Sequence, residues 1–124
     1  MNNRTSSNIK AILAAGIAAL GCAAFAQAMP QKGEEEVHKL ISSIEQSSCQ
    51  FERNGTWYNA AEAATHLRRK FDATEKRLQT AEQFVQYVAS SSSITKKPYQ
   101  IRCGAETVRA KVWLDRKLSE FRKK

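Results

Sequence analysis

The chain has no Cys-x-x-Cys pair, no Gly-x-x-x-x-Gly-Lys-Ser/Thr loop and no internal repeat of useful length. The first absence argues against a dithiol redox centre. The second argues against a nucleotide-phosphate loop of the familiar kind. The aromatic–basic alternation of single-strand nucleic-acid platforms is also missing. The only histidines are His38 and His66, which gives a zinc site little to build on. No apolar run reaches the about 20 residues that span a bilayer comfortably. At 124 residues the sequence is too short for a catalytic barrel or a two-domain dinucleotide enzyme. A single domain is expected. With 42% hydrophobic and 26% charged residues, it does not read as a disordered chain.

The first 28 residues differ from the rest. Arg4 and Lys10 make a basic start, and Ile9, Ile12, Leu13, Ile17 and Leu20 form a short apolar run among alanines and glycines. Ala26-Gln27-Ala28 then places small residues where a signal peptidase reads them. This order predicts a secretory signal peptide over residues 1–28, cleaved after Ala28, and a periplasmic mature domain over residues 29–124 with no membrane-spanning segment. A competing reading takes Leu20-Gly21-Cys22 as a lipoprotein signal, with Cys22 lipidated. Cleavage after Ala28 removes Arg4 and Lys10 and no acid, so the formal charge falls from +8 to +6. It leaves Cys49 and Cys103, and an oxidising compartment predicts a disulfide between them. Closing so long a loop is worth about 4 kcal/mol in the chain-entropy picture.

Along the mature chain, Glu34–Glu36 lead into Val37, Leu40, Ile41 and Ile44, the stripe of a surface helix, predicted over 34–47. Asn54-Gly55 is a strong two-residue turn signal, consistent with a small hairpin or with a tight loop carrying Phe51, Trp57 and Tyr58 into the core. Asn59 with Glu62 has the spacing of a capping box, and a helix is predicted over 60–77. Thr80 with Gln83 repeats that spacing ahead of a helix over 81–90, which Ser90–Ser93 and Pro98 bring to a stop. Tyr99, Ile101 and Cys103 alternate as in a strand, able to pair with the segment around Cys49. Trp113, Leu114, Leu118 and Phe121 mark a last helix over 109–122. The expected fold is small and mostly α (a small α+β domain). It has about four helices, a short β-hairpin or two-stranded element, and one disulfide.

Phe51-x-Arg53-Asn54-Gly55, Tyr58 and Glu62-Ala63-x-x-His66-Leu67-Arg68-x-Lys70 resemble the centre of a small family of exported bacterial proteins, the YfeK-like family. The resemblance continues through Thr80-Ala81-Glu82-x-Phe84, Ala89–Ser93, Lys97-Pro98-Tyr99 and Trp113-Leu114, and covers about residues 34–121. It implies an exported single-domain protein of unknown function. It transfers no catalytic role to any residue.

His66 carries the most interesting surroundings. On a helix, Glu62 lies at i−4, Arg69 at i+3 and Lys70 at i+4, and Arg53 on the upstream turn can reach the same face. Arg53, Glu62, His66 and Arg69 then read as a satisfied structural network, as an anion- or peptide-binding site, or as a catalytic group. Ser91, Ser92 and Lys97 read either as part of a helix stop or as a loop holding a phosphate or carboxylate. No catalytic residue, cofactor or metal is assigned. The basic balance suits an anionic envelope glycan, a lipid head group or a protein partner, and export makes nucleic acid an unexpected one. The leading expectation is a non-enzymatic envelope binding module. The alternative is a small periplasmic hydrolase acting on cell-wall material, which requires a serine and an acid beside His66.

Overall fold

The computed structural model describes residues 28–123. The leader expectation, including Cys22, falls on residues 1–27 and lies outside the described residues apart from Ala28.

The first helix, α1 (Gln31–Glu45), starts three residues before the sequence pattern suggests. Pro30 sits in the cap position, and its carbonyl already accepts from Glu34 N at 3.1 Å. A proline at a helix start loses no helical hydrogen bond, so the ladder can begin there. The stripe of Val37, Leu40, Ile41 and Ile44 is buried. Gly33, on the same helix, also faces a close neighbour. A Cβ there would stand 2.9 Å from Met29 Cε and 3.2 Å from the Gln79 carbonyl oxygen.

After Cys49 the chain forms β1 (Gln50–Arg53) and β2 (Thr56–Tyr58), joined by Asn54-Gly55. Both turn residues take positive φ, 53° and 86°, as a type I′ hairpin requires. The Glu52 carboxylate closes the turn by accepting from Gly55 N. The sheet is larger than the expected two-stranded element. Strand β3 (Gln100–Cys103) pairs with β1, and β4 (Glu106–Arg109) pairs with β3, giving the antiparallel order β2-β1-β3-β4. Gly104, at φ 62°, turns β3 into β4. The sequence conceals β4 because Val108 is the single apolar residue among Glu106, Thr107, Val108 and Arg109, and the strand lies on a sheet edge.

Phe51 stands opposite Ile101 and Gln50 opposite Arg102. Extending that register by one residue sets Cys49 opposite Cys103. The disulfide is formed there, with Cα atoms 4.4 Å apart. Phe51 and Ile101 face the helices and are buried. The opposite face carries Trp57, half-buried beneath the Arg102 guanidinium at 4.0 Å from the ring centroid.

Helix α2 (Ala60–Thr74) opens with the expected capping box. Asn59 Oδ1 accepts from Glu62 N at 2.8 Å, and Glu62 Oε1 accepts from Asn59 N at 3.1 Å. The helix stops before residue 77 and gives way to a single 3-10 turn over Glu75–Arg77. Thr74 Oγ1 donates back to the Lys70 carbonyl at 2.7 Å, a local bond that loosens a helix end. Helix α3 (Ala81–Phe84), capped by the Thr80 hydroxyl, widens into a π-helical segment over Val85–Ala89 and ends at Ser90. The last helix is α4 (Ala110–Arg122). Helix α1 packs against α2, α3 and α4, while α2 rests on β1 and α4 on β3 and β4. The core joins Phe71 and Phe84, packed edge to face at 5.5 Å, with Leu40, Ile44, Ile101 and Leu114. No described helix is long and apolar enough to cross a membrane.

One ion-pair hub locks the helices together. Arg122 donates through Nε and Nη2 to Glu36 at 2.8 Å each, and to Glu82 at 2.6 and 3.1 Å. It ties the end of α4 to α1 and α3. The Arg122 hydrogen bonds hold both carboxyls below their ordinary range. Lowered carboxyl values in the folded state stabilise it at neutral pH, and that contribution is lost as pH falls through them. Arg122→Ala is expected to cost about 1–2 kcal/mol in urea unfolding at pH 7. The gap from the parent should narrow below about pH 4. Gly33→Ala gains about 1 kcal/mol of helix propensity, the flexible Met29 methyl end can shift, and the 3.2 Å approach to the Gln79 carbonyl opposes that gain, so the variant is expected within about 1 kcal/mol of the parent in the same assay.

Candidate functional site

The capping box fixes where α2 begins, and so fixes which side chains leave its exposed flank. Glu62, His66 and Arg69 follow one another at i, i+4 and i+7. The Asn54-Gly55 turn folds Arg53 and Tyr58 back beside them. Tyr99, immediately before β3, reaches the same place because β3 pairs with β1. Together these elements enclose a cleft of about 380 Å³. Phe51, Ala61, Ala63, Leu67 and Ala89 supply its apolar lining. Arg53, Tyr58, His66, Arg69 and Tyr99, with the carboxylates of Glu52 and Glu62 and the Thr65 hydroxyl, supply its polar one.

The polar groups are not satisfied by one another. Arg53 Nη2 meets Tyr58 Oη only at 3.4 Å, with its guanidinium 5.2 Å from the ring centroid. Among the described residues neither Arg53 nor Arg69 has a carboxylate partner. His66 Nε2 is shut from solvent and has no hydrogen-bond partner. The imidazole packs edge-on to Tyr99 at 6.3 Å. Burial, followed by repulsion from Arg53, Lys70 and Arg69, lowers its pKa to about 4, so it is neutral at physiological pH. Behind it, Lys70 Nζ donates to Tyr99 Oη at 3.1 Å and to the Ser91 carbonyl at 3.3 Å. Burial and then Arg53 push the lysine pKa down, and burial pushes the Tyr99 phenol up.

Although Glu62 lies one turn before His66, no hydrogen bond joins them. Helical side chains lean toward the N-terminus, and Glu62 spends its carboxylate on Asn59 N. The structure brings Arg53, Glu62, His66 and Arg69 around one cleft but leaves Ser91, Ser92 and Lys97 out of its lining. The serine loop turns its donors inward. Ser92 is buried, and its hydroxyl accepts from Ile94 N at 3.3 Å and Thr95 N at 3.2 Å. Lys97 N donates to Thr95 Oγ1, and Ser92 N donates to the Lys97 carbonyl. Thr95 Oγ1 in turn donates to Asn54 Oδ1 at 2.6 Å, docking the loop on the hairpin turn. These amides are therefore occupied within the loop, and its contribution to the site is the Ser91 carbonyl that holds Lys70. Tyr58 and Tyr99 are site residues that sequence reasoning treated only as core or strand positions. No group of three or more His, Cys, Asp or Glu among the described residues is placed to hold a metal ion.

Fold and cleft define a small disulfide-clipped α+β domain with a cleft between a hairpin and a capped helix whose two arginines, among the described residues, form no ion pair. The chain belongs to the family of unknown function DUF5329, whose model matches residues 31–122. It is 46% identical over 67 residues to the uncharacterized protein YfeK of Salmonella typhimurium strain LT2. That match covers 53% of this chain and 56% of YfeK, so the chain spans little more than half the length of this relative. No solved structure matches it.

The low His66 value sets a pH dependence. The imidazole of an unfolded chain titrates near 6.5, whereas the folded one stays neutral down to about 4. The unfolded state therefore takes up the proton first, and stability is lost as pH falls from 6.5 toward 4. His66→Gln is expected to flatten that part of the stability profile in urea titrations. An unchanged slope would place the loss on other groups.

Proposed function

We propose that this protein is an exported, non-enzymatic binding module of the bacterial envelope, and that the Arg53/Arg69 cleft receives an anionic ligand or an acidic partner group. The observation that carries the reading is a pair of arginines on one partly apolar cleft that have no ion-pair partner among the described residues. Half-buried Arg53 and exposed Arg69 stand near Lys70, the two lining carboxylates, Glu52 and Glu62, are engaged by backbone amides, and an arriving anion would relieve the repulsion among the cations. Export rests on the leader pattern of residues 1–28 and on the Cys49–Cys103 pair, which suits an oxidising compartment. An envelope glycan, a lipid head group and an acidic protein surface are the anions such a compartment offers. The hydrolase alternative needs a serine in contact with His66, and the hydroxyls of Ser90 and Ser92 are engaged locally.

The test is recovery from an envelope extract with the parent protein and with the Arg53→Ala/Arg69→Ala variant. An anionic species retained by the parent and lost by a folded variant is the expected result. Equal recoveries from both would return the cluster to a structural role.

A further inference from the structure

We infer that the cleft takes a carboxylate carried on an apolar body, with the head group at Arg53 and Arg69 and the body along Phe51, Leu67 and Ala89. This rests on the anion-binding reading above and narrows it to one ligand class.

Two features select the head group. The positive side chains lining the cleft are guanidiniums, whose planar fork takes a carboxylate or a phosphate with two parallel hydrogen bonds, so the backbone amides decide between them. Lys70, the nearest ammonium, is instead held by Tyr99 Oη and the Ser91 carbonyl. A phosphate is usually cradled by several backbone N–H groups at a helix start or in a nest. Here the Glu62 amide at the start of α2 is taken by the Asn59 side chain, and the amides of the serine loop are taken by its own hydroxyls.

Two further features select the body. A volume of about 380 Å³ far exceeds what a lone carboxylate fills and falls among small-molecule sites. Alanine, leucine and phenylalanine make the apolar wall, while Glu52 is spent on Gly55 N, Glu62 on Asn59 N and Tyr99 Oη on Lys70, so few side chains are left to receive the hydroxyls of a sugar. The neutral His66 ring and the two tyrosines add flat, weakly polar walls that accept an aliphatic or aromatic body.

Calorimetric titration of the purified protein with phenylpropionate, acetate, phenylpropanol and inorganic phosphate tests the proposal. Phenylpropionate is expected to bind roughly tenfold or more tighter than acetate and than the neutral alcohol. Arg53→Gln and Arg69→Gln, each checked for a native circular-dichroism spectrum, should remove the preference for the acid over the alcohol. The His66 titration followed by NMR should move up from about 4 when phenylpropionate is bound. Octanoate and N-acetylphenylalanine then distinguish an aliphatic acid from a peptide carboxyl terminus, and tighter binding of either supports the class. Phosphate binding as tightly as phenylpropionate, or the alcohol doing so, overturns the proposal. If phosphate binds and Arg53→Gln abolishes it, the anion reading survives without this one. If no anion binds at all, both fall.

Discussion

The pairing of β1 with β3 is the constraint on which the rest depends. One register sets Cys49 against Cys103 and Phe51 against Ile101. Because side chains alternate along a strand, it also sends Phe51 and Arg53 to the helix-facing side and brings Tyr99 up to α2. A slip of one residue would turn Phe51 out, part the sulfurs and point Arg53 away from the cleft. The disulfide is thus more than a staple on a thin core. It links the two strands whose alignment builds the site.

The electrostatics of the cleft follow from how nearby acids are used. Glu52 closes the hairpin turn, Glu62 completes the helix cap, Glu45 pairs with Arg68, and Glu36 and Glu82 pair with Arg122. Each of these carboxylates answers a local need, and none of them forms an ion pair with Arg53 or Arg69. Burial first, and repulsion from neighbouring cations second, keep His66 neutral and lower the Lys70 pKa.

Much of this was legible in the residues because the signals were local. Asn59 with Glu62, Asn54-Gly55, and the stripe from Val37 to Ile44 each encode their structure within a few positions. The gathering of Arg53, Glu62, His66 and Arg69 followed from helical spacing next to a tight turn. Tyr99 was not legible as a site residue, since its position depends on a strand paired across half the chain. Nor was the behaviour of the serine loop. Hydroxyls at Ser91 and Ser92 look the same in sequence whether they face a ligand or their own backbone, and Ser92 faces its backbone. The fourth strand escaped notice because an edge strand with one half-buried valine carries almost no alternation.

The thermal unfolding midpoint of the ligand-free Arg53→Gln protein tests the central claim most directly. Removing a cation that repels its neighbours, at the loss of a weak contact with Tyr58, should leave the midpoint equal to the parent's or raise it. If Arg53 instead secures a satisfied structural network, the midpoint should fall by more than about 4 °C, and the account would be contradicted.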